Sequence, residues 1–281
     1  MNDIERLERI YGAAGRELRR ILSLEPGVAR VRAREIVKVL NMAVDKWAND
    51  AIPRAYTKAA RTARTSLEIL GKKPRRRTFV DRGRILRDNL MVVLIRANNS
   101  IPAVVDEYLA ATALVIRTVE TAQLQEFTYS DSEEKILRMA RKAVAKQESR
   151  KTLENQLRSY LIKQIEDDGF LKINDRNYNM KKYAEMVSRT ALREAQTEAT
   201  LDLCEQYDND LVQWSDHGTV CEICIEFEGK IYSISGKSLE YPMLEREPPA
   251  HPNCEHSLLP TSDIAIEVMG RRDLGGRAGY L

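Results

Sequence analysis

The stretches CEICIEFEGKIYS (residues 221–233) and PPAHPNCEH (residues 248–256) decide how the C-terminal part of this 281-residue chain folds. Cys221 and Cys224 stand two residues apart, and His251 and Cys254 repeat that gap. A tight turn carries two such donors to the same side of the backbone, so each pair can chelate, and two pairs complete a tetrahedron. The 26 residues between the pairs hold a strand-like segment, Lys230 to Ile234, and a proline-rich return, long enough to bring the second pair onto the first. Three thiolates and an imidazole suit Zn²⁺ best among common ions. The expected ligands are Cys221, Cys224, His251 and Cys254. His256 is an alternative to His251, whose mirrored spacing favours it. The competing reading is that these are small buried residues in a reducing compartment. Cys204, on the preceding helix, reads as core.

Chemistry at this site is disfavoured by its own ligand count. A hydrolytic zinc keeps an open position and a general base nearby, whereas four strong ligands close the sphere. A nucleobase deaminase needs a His-x-Glu pair ahead of Pro-Cys-x-x-Cys, and that order does not occur here. A thioredoxin-like Cys-x-x-Cys opens a helix, but Ile225 to Lys230 reads as a turn into a strand. A nucleic-acid knuckle surrounds its metal with Lys and Arg. Residues 201–268 instead hold 3 basic against 14 acidic side chains. No enzymatic activity is expected, and a zinc-dependent enzyme is the weakest alternative.

Upstream, the chain reads as helices. Leu7, Ile10, Leu18, Ile21 and Leu22 keep helical spacing, and Glu25-Pro26-Gly27 makes a turn. A second helix, Val28 to Asp50, carries Val31, Glu35, Val39, Met42 and Trp47, and Pro53 is expected to start a third, running to Leu70. The run GKKPRRR (71–77) is a basic breaker. Leu86, Leu90, Val93, Leu94 and Ala97 trace a 3.6-residue stripe. Ser100-Ile101-Pro102 reads as a cap followed by a first-turn proline, opening a helix through Ala122. Ser130-Asp131-Ser132-Glu133 reads as a capping box for another helix ending at Asp167-Asp168-Gly169. An irregular piece, Phe170 to Lys181, leads to a last helix from Tyr183 to about Tyr207, and Leu211 to Trp214 is strand-like.

The expected fold is therefore mainly α: a long helical N-terminal region followed by a small α+β, metal-stabilised C-terminal module. Its divisions are residues 1–182, helical and basic with a loop near 71–84; residues 183–262, the module with the Cys/His site; and residues 263–281, a Gly-rich tail expected to be flexible. The net charge of +3 conceals an asymmetry. Residues 1–100 hold 23 Lys/Arg against 11 Asp/Glu, while the remainder holds 22 against 31. The basic third suits nucleic acid or an acidic protein surface, and the acidic end is repelled by phosphate. The N-terminus MNDIERLERI lacks the apolar core of a signal peptide, no stretch is apolar enough to span a bilayer, and the cysteines are expected in a reducing cytoplasm.

The C-terminal residues resemble the phage head morphogenesis family, the minor head proteins similar to phage Mu protein F. Its pattern is a helix rich in Arg, Thr and Glu (Arg189-Thr190, Glu194 to Glu198), then Trp214, Asp216, Cys221 and Cys224. Gly229-Lys230 with Tyr232 follows, and then the close Pro248-Pro249-Ala250-His251-Pro252-Asn253-Cys254, with Pro260 beyond. The resemblance covers residues 183–261. It departs in two places: Glu255-His256 stands where relatives often have Arg-Cys, which keeps a ligand type but loosens the ligand set, and Ala191-Leu192 replaces the usual Thr-Glu. The resemblance implies a structural virion protein, made late in the host cytoplasm, associated with the portal protein and other head proteins in the head interior or at the portal vertex, with an influence on DNA packaging or delivery. The alternative reading is a DNA-binding protein acting on packaged DNA through the basic N-terminal third.

Overall fold

The computed structural model describes residues 2–75, 82–121, 169–174, 176–263 and 265–266, with single positions 152, 156, 159, 160 and 163. The capping box at Ser130, the Asp167-Asp168 end of its helix, Arg76 and Arg77 of the basic loop, and the Gly-rich end of the tail lie outside the described residues. The chain is mainly helical with a small strand-containing C-terminal region, as expected. Its elements are α1 (Asp3–Ile21), α2 (Pro26–Ile69), α3 (Arg82–Asn98), α4 (Ile101–Thr121), β1 (Leu171–Ile173), β2 (Arg176–Tyr178), α5 (Met180–Gln206), β3 (Leu211–Trp214), β4 (Ile231–Ser233) and β5 (Leu258–Pro260).

Helix ends follow from local chemistry. Asn2 and Glu5 cap α1 reciprocally: Asn2 Oδ1 accepts from the Glu5 amide at 2.8 Å, and Glu5 Oε2 accepts from the Asn2 amide at 3.3 Å. Helix α2 begins at Pro26, whose missing N–H costs nothing in a first turn. It ends at Gly71, whose φ of 73° lets the Gly71 and Lys72 amides return to Glu68 and Leu67 carbonyls. Asn179 Oδ1 caps α5 by accepting from the Lys181 and Lys182 amides.

Pro53 does not divide α2, contrary to the expectation of a separate third helix: the helix runs unbroken for 44 residues. An internal proline costs about 3 kcal/mol. Burial offsets that cost on both sides of it, through Trp47, Ala48, Ala51, Ile52 and Tyr56. Val31, Val39 and Met42 are 55–67% exposed, while Ala29, Ala33, Val37, Leu40, Val44 and Trp47 form the buried face. On α3, Leu94 and Ala97 are buried as expected but Val93 is exposed. The Phe170–Lys181 piece contains a hairpin, β1 antiparallel to β2, and α5 starts three residues before Tyr183.

The chain forms two compact units. One joins Glu8–Val44 and Val93–Tyr183. There Arg30 pairs with Asp106 at 2.7 Å, Asn98 donates to Asn41 at 2.8 Å, and the Tyr11 ring meets Tyr183 edge-on at 6.1 Å. Gly169, at φ 90°, precedes the hairpin where any Cβ would strike the Tyr178 carbonyl oxygen.

The other unit joins Met1–Leu7, Asp45–Val92 and Ala184–Leu281. Trp47 Nε1 donates to the Asp3 carbonyl at 2.8 Å. Ala191, Ala195 and Ala199, one turn apart on α5, pack against Ile52 and Tyr56 of α2 with Leu86 and Leu90 of α3 alongside. Alanine at these positions keeps the helices close. Arg82 bridges Asp202 at 2.8 Å and Glu198 at 3.2 Å, and Tyr56 also donates to Asp202.

Helix α5 turns into the sheet through Asp208, at φ 52°, with the Asn209 amide bonded to the Cys204 carbonyl. The sheet order is β4-β3-β5, all antiparallel, with Val212 opposite Tyr232 on one side and Pro260 on the other. Val212, Trp214, Tyr232 and Leu258 pack on Leu201 and Cys204 of α5. Cys204 is thus core, and burial pushes its thiol up to about 12. No helix among the described residues is long and apolar enough to cross a membrane.

Candidate metal centre

The last residue of β3 and the first residues of β4 and β5 lie at one end of the sheet, and the Cys/His residues gather there. Ser215 extends the β3–β5 ladder by donating its amide to the Ser257 carbonyl at 2.9 Å. Residues 221–229 then coil through tight turns. The Cys224 and Ile225 amides return to the Cys221 carbonyl, and the Phe227 and Glu228 amides return to the Cys224 carbonyl. Gly229 closes the coil at φ 71° and releases the chain into β4. The second pair is folded the same way: the Cys254 amide donates to the His251 carbonyl at 3.1 Å, with Asn253 at φ 65°.

All four sequence-predicted residues and the alternative His256 meet in this cluster. Donor atoms of Cys221, Cys224 and His251 lie within 4.8 Å of one another, and so do those of Cys224, Cys254 and His256. Cys224 belongs to both groups and is fully buried. Its Sγ stands 3.2 Å from His251 Nε2 and 3.7 Å from Cys254 Sγ, while Cys221 Sγ is 3.3 Å from the same His251 Nε2. His256 Nδ1 is 3.5 Å from Cys254 Sγ. In a tetrahedral zinc site with bonds of about 2.3 Å, neighbouring sulfurs sit about 3.8 Å apart. The Cys224–Cys254 spacing is of that size.

The tautomers of both rings follow from their outer partners. His251 Nδ1 contacts the Pro252 carbonyl at 2.8 Å, and a carbonyl only accepts, so Nδ1 carries a hydrogen and Nε2 of the neutral ring presents its lone pair to Cys221 and Cys224. His256 Nε2 contacts Glu228 Oε1 at 3.2 Å, so Nε2 donates, and Nδ1 of the neutral ring presents its lone pair toward Cys254. Glu228 is itself held by the His217 amide at 2.6 Å and the Thr219 amide at 2.9 Å. Burial opposes its charge, but these amides and His256 keep its carboxyl below the usual range. Burial, and then the neighbouring Cys254 and Cys221, push the Cys224 thiol up, whereas the Cys224 and Ile223 amides lower Cys221. Sulfurs crowded with imidazole lone pairs, and carrying no disulfide, form a donor set that a soft divalent cation satisfies. The cluster can bind a metal ion.

Sequence spacing did not find Glu228, His217 or Thr219. His217 stacks obliquely on His256 at 5.2 Å, and its Nε2 meets the Ser215 hydroxyl at 2.9 Å. Glu228 lies four residues after Cys224, one turn on; that offset is its only trace in the sequence.

The family model of phage minor capsid protein 2 matches residues 35–261. That range takes in most of α2 and the helices after it as well as the cluster, where the C-terminal resemblance reaches back only to residue 183. Comparison with curated proteins and with solved structures found no match. With the match spanning most of its length, and consistent with a phage minor head protein, the chain belongs to the phage minor capsid protein 2 family.

Proposed function

We propose that this protein is a structural component of the phage head that joins the portal during assembly through its acidic C-terminal module, residues 183–262. A single Zn²⁺ stabilises that module, held by the thiolates of Cys221, Cys224 and Cys254 and one imidazole. The observation carrying this reading is the family match over residues 35–261, which ends at the sheet that bears the cluster. The ion's work is architectural: it neutralises crowded sulfurs and ties the 221–229 coil to the 251–256 return. A role without catalysis accords with a sphere closed by four protein ligands.

Co-expression with the portal and shell proteins of the same phage tests the head assignment. The expected result is copurification with the portal protein, lost in a chain cut before residue 183. Portal particles that form at normal yield and never retain the chain would reject it. Elemental analysis tests the centre: about one zinc per chain, absent when Cys221 and Cys224 are both changed to Ser.

A second reading rests on the charge of residues 1–100, 23 basic against 11 acidic. It places packaged DNA against the N-terminal helices. DNA affinity should then fall steeply between low and moderate salt, because each neutralised phosphate releases counterions. No binding at low salt would dismiss it.

A further inference from the structure

Five donors lie in two groups of three that share Cys224, a tetrahedral centre needs four, and the two imidazoles are not equivalent. His251 is half-buried, and its outer nitrogen is tied only to the carbonyl of the next residue. His256 is 3% exposed and its outer nitrogen is tied to a carboxylate. That carboxylate is in turn held by the His217 and Thr219 amides, and the Glu228 backbone is held by its own N–H, which returns to the Cys224 carbonyl at 3.0 Å. The ring is further confined by Trp214 at 5.6 Å and His217 at 5.2 Å. An imidazole that donates to a carboxylate is a stronger and better-oriented ligand than one that donates to a neutral carbonyl. Its burial and its fixed outer carboxylate distinguish His256 from His251.

We propose that His256 is the imidazole of the metal centre and that Glu228 is its positioning residue, holding the ring in the tautomer that presents Nδ1 to the ion. This deepens the metal reading above and rests on it. His251 then stands at the rim, beside Cys221 and Cys224, outside the coordination sphere. Because Glu228 lies one turn beyond Cys224, the peptide that supplies the central thiolate also supplies the support of the fourth ligand.

The test uses the full chain, loaded with zinc, and competition against a chromophoric chelator, with Co²⁺ substitution as a spectroscopic readout. E228A should weaken metal binding by on the order of 10–100-fold, and E228Q, which keeps an acceptor oxygen, should weaken it less. H256A should lose at least as much as E228A and change the Co²⁺ visible bands, while H251A should leave the bands unchanged. In an H256A background, E228A should add almost nothing. A Glu228 that only braces the 217–219 backbone would keep its effect in that background, and that result overturns the proposal. So do unchanged affinity in both Glu228 variants, or an H251A chain whose bands change while those of H256A do not. A wild-type chain that holds neither zinc nor cobalt overturns the metal centre itself, a different failure.

Discussion

Residues 26–69 run as one helix that buries a side chain at nearly every turn. Residues 215–257 pass through a single three-residue strand, β4, and are otherwise turns and loops. At the end of a small sheet they gather five donor side chains and one carboxylate. The helices are held by many small contributions. Under the proposed metal centre, the loops around it are held by a few groups that act together. Losing one buried side chain from α2 should therefore lower stability in proportion to the side chain, whereas losing one donor should release a whole segment.

The sharpest break in that comparison is Cys224→Ser, because Cys224 belongs to both donor groups. Bound zinc should be lost entirely. When free zinc stands 1,000-fold above the dissociation constant, the stabilisation forfeited is about 4 kcal/mol. The near-ultraviolet signal of Trp214 should collapse while far-ultraviolet helicity largely remains. Parallel loss of both signals would mean that the loops and helices share one source of order. Trp47→Ala should cost a similar amount, about 3–5 kcal/mol in denaturant unfolding, since Trp47 is fully buried. Its zinc content should nevertheless match the parent, and a metal-free variant would erase the distinction.

Gly169→Ala probes a place where the unit of Glu8–Val44 and Val93–Tyr183 depends on backbone conformation. A Cβ there would lie 1.9 Å from the Tyr178 carbonyl oxygen, at φ 90°. The expected loss is about 1–3 kcal/mol, read from the denaturant midpoint, and an unchanged midpoint would refute that packing. The smallest effect belongs to Glu194 on α5, where burial, and then Glu198, raise the carboxyl above the usual range. A raised folded value favours the protonated native state, so this contribution is present in acid and lost as pH rises through the folded value. Glu194→Gln should be the more stable chain at neutral pH and lose that advantage in acid. Equal midpoints at neutral pH would contradict the shift.

The site was far more legible in the sequence than the supports around it. Two identical gaps announce that Cys221, Cys224, His251 and Cys254 gather in one place, because a short turn that carries two donors to one side leaves a spacing readable without any knowledge of the fold. Glu228 leaves no such mark, since its partner His256 is 28 residues away and only the folded return joins them. On α2, large aliphatics drew attention to Val31, Val39 and Met42, yet the helix buries the less conspicuous Ala29, Ala33 and Val37. Alanine is weakly hydrophobic but lets helices approach closely, so its face is read from packing and not from hydropathy. Strand β5, Leu-Leu-Pro, is too short and too near a proline to be read alone. Its register against β3 comes from the tertiary fold.

The 221–229 coil has one more consequence. Val220, just before it, and Ile223 and Ile225 within it project into solvent at 94%, 42% and 58% exposure. On a free loop the backbone bearing such side chains would have to be ordered on meeting another surface, at about 1–2 kcal/mol per residue. Here the backbone that bears them is already fixed by the hydrogen bonds of Cys221, Cys224 and Glu228. That part of the entropic toll of contact is met during folding, before any neighbour arrives.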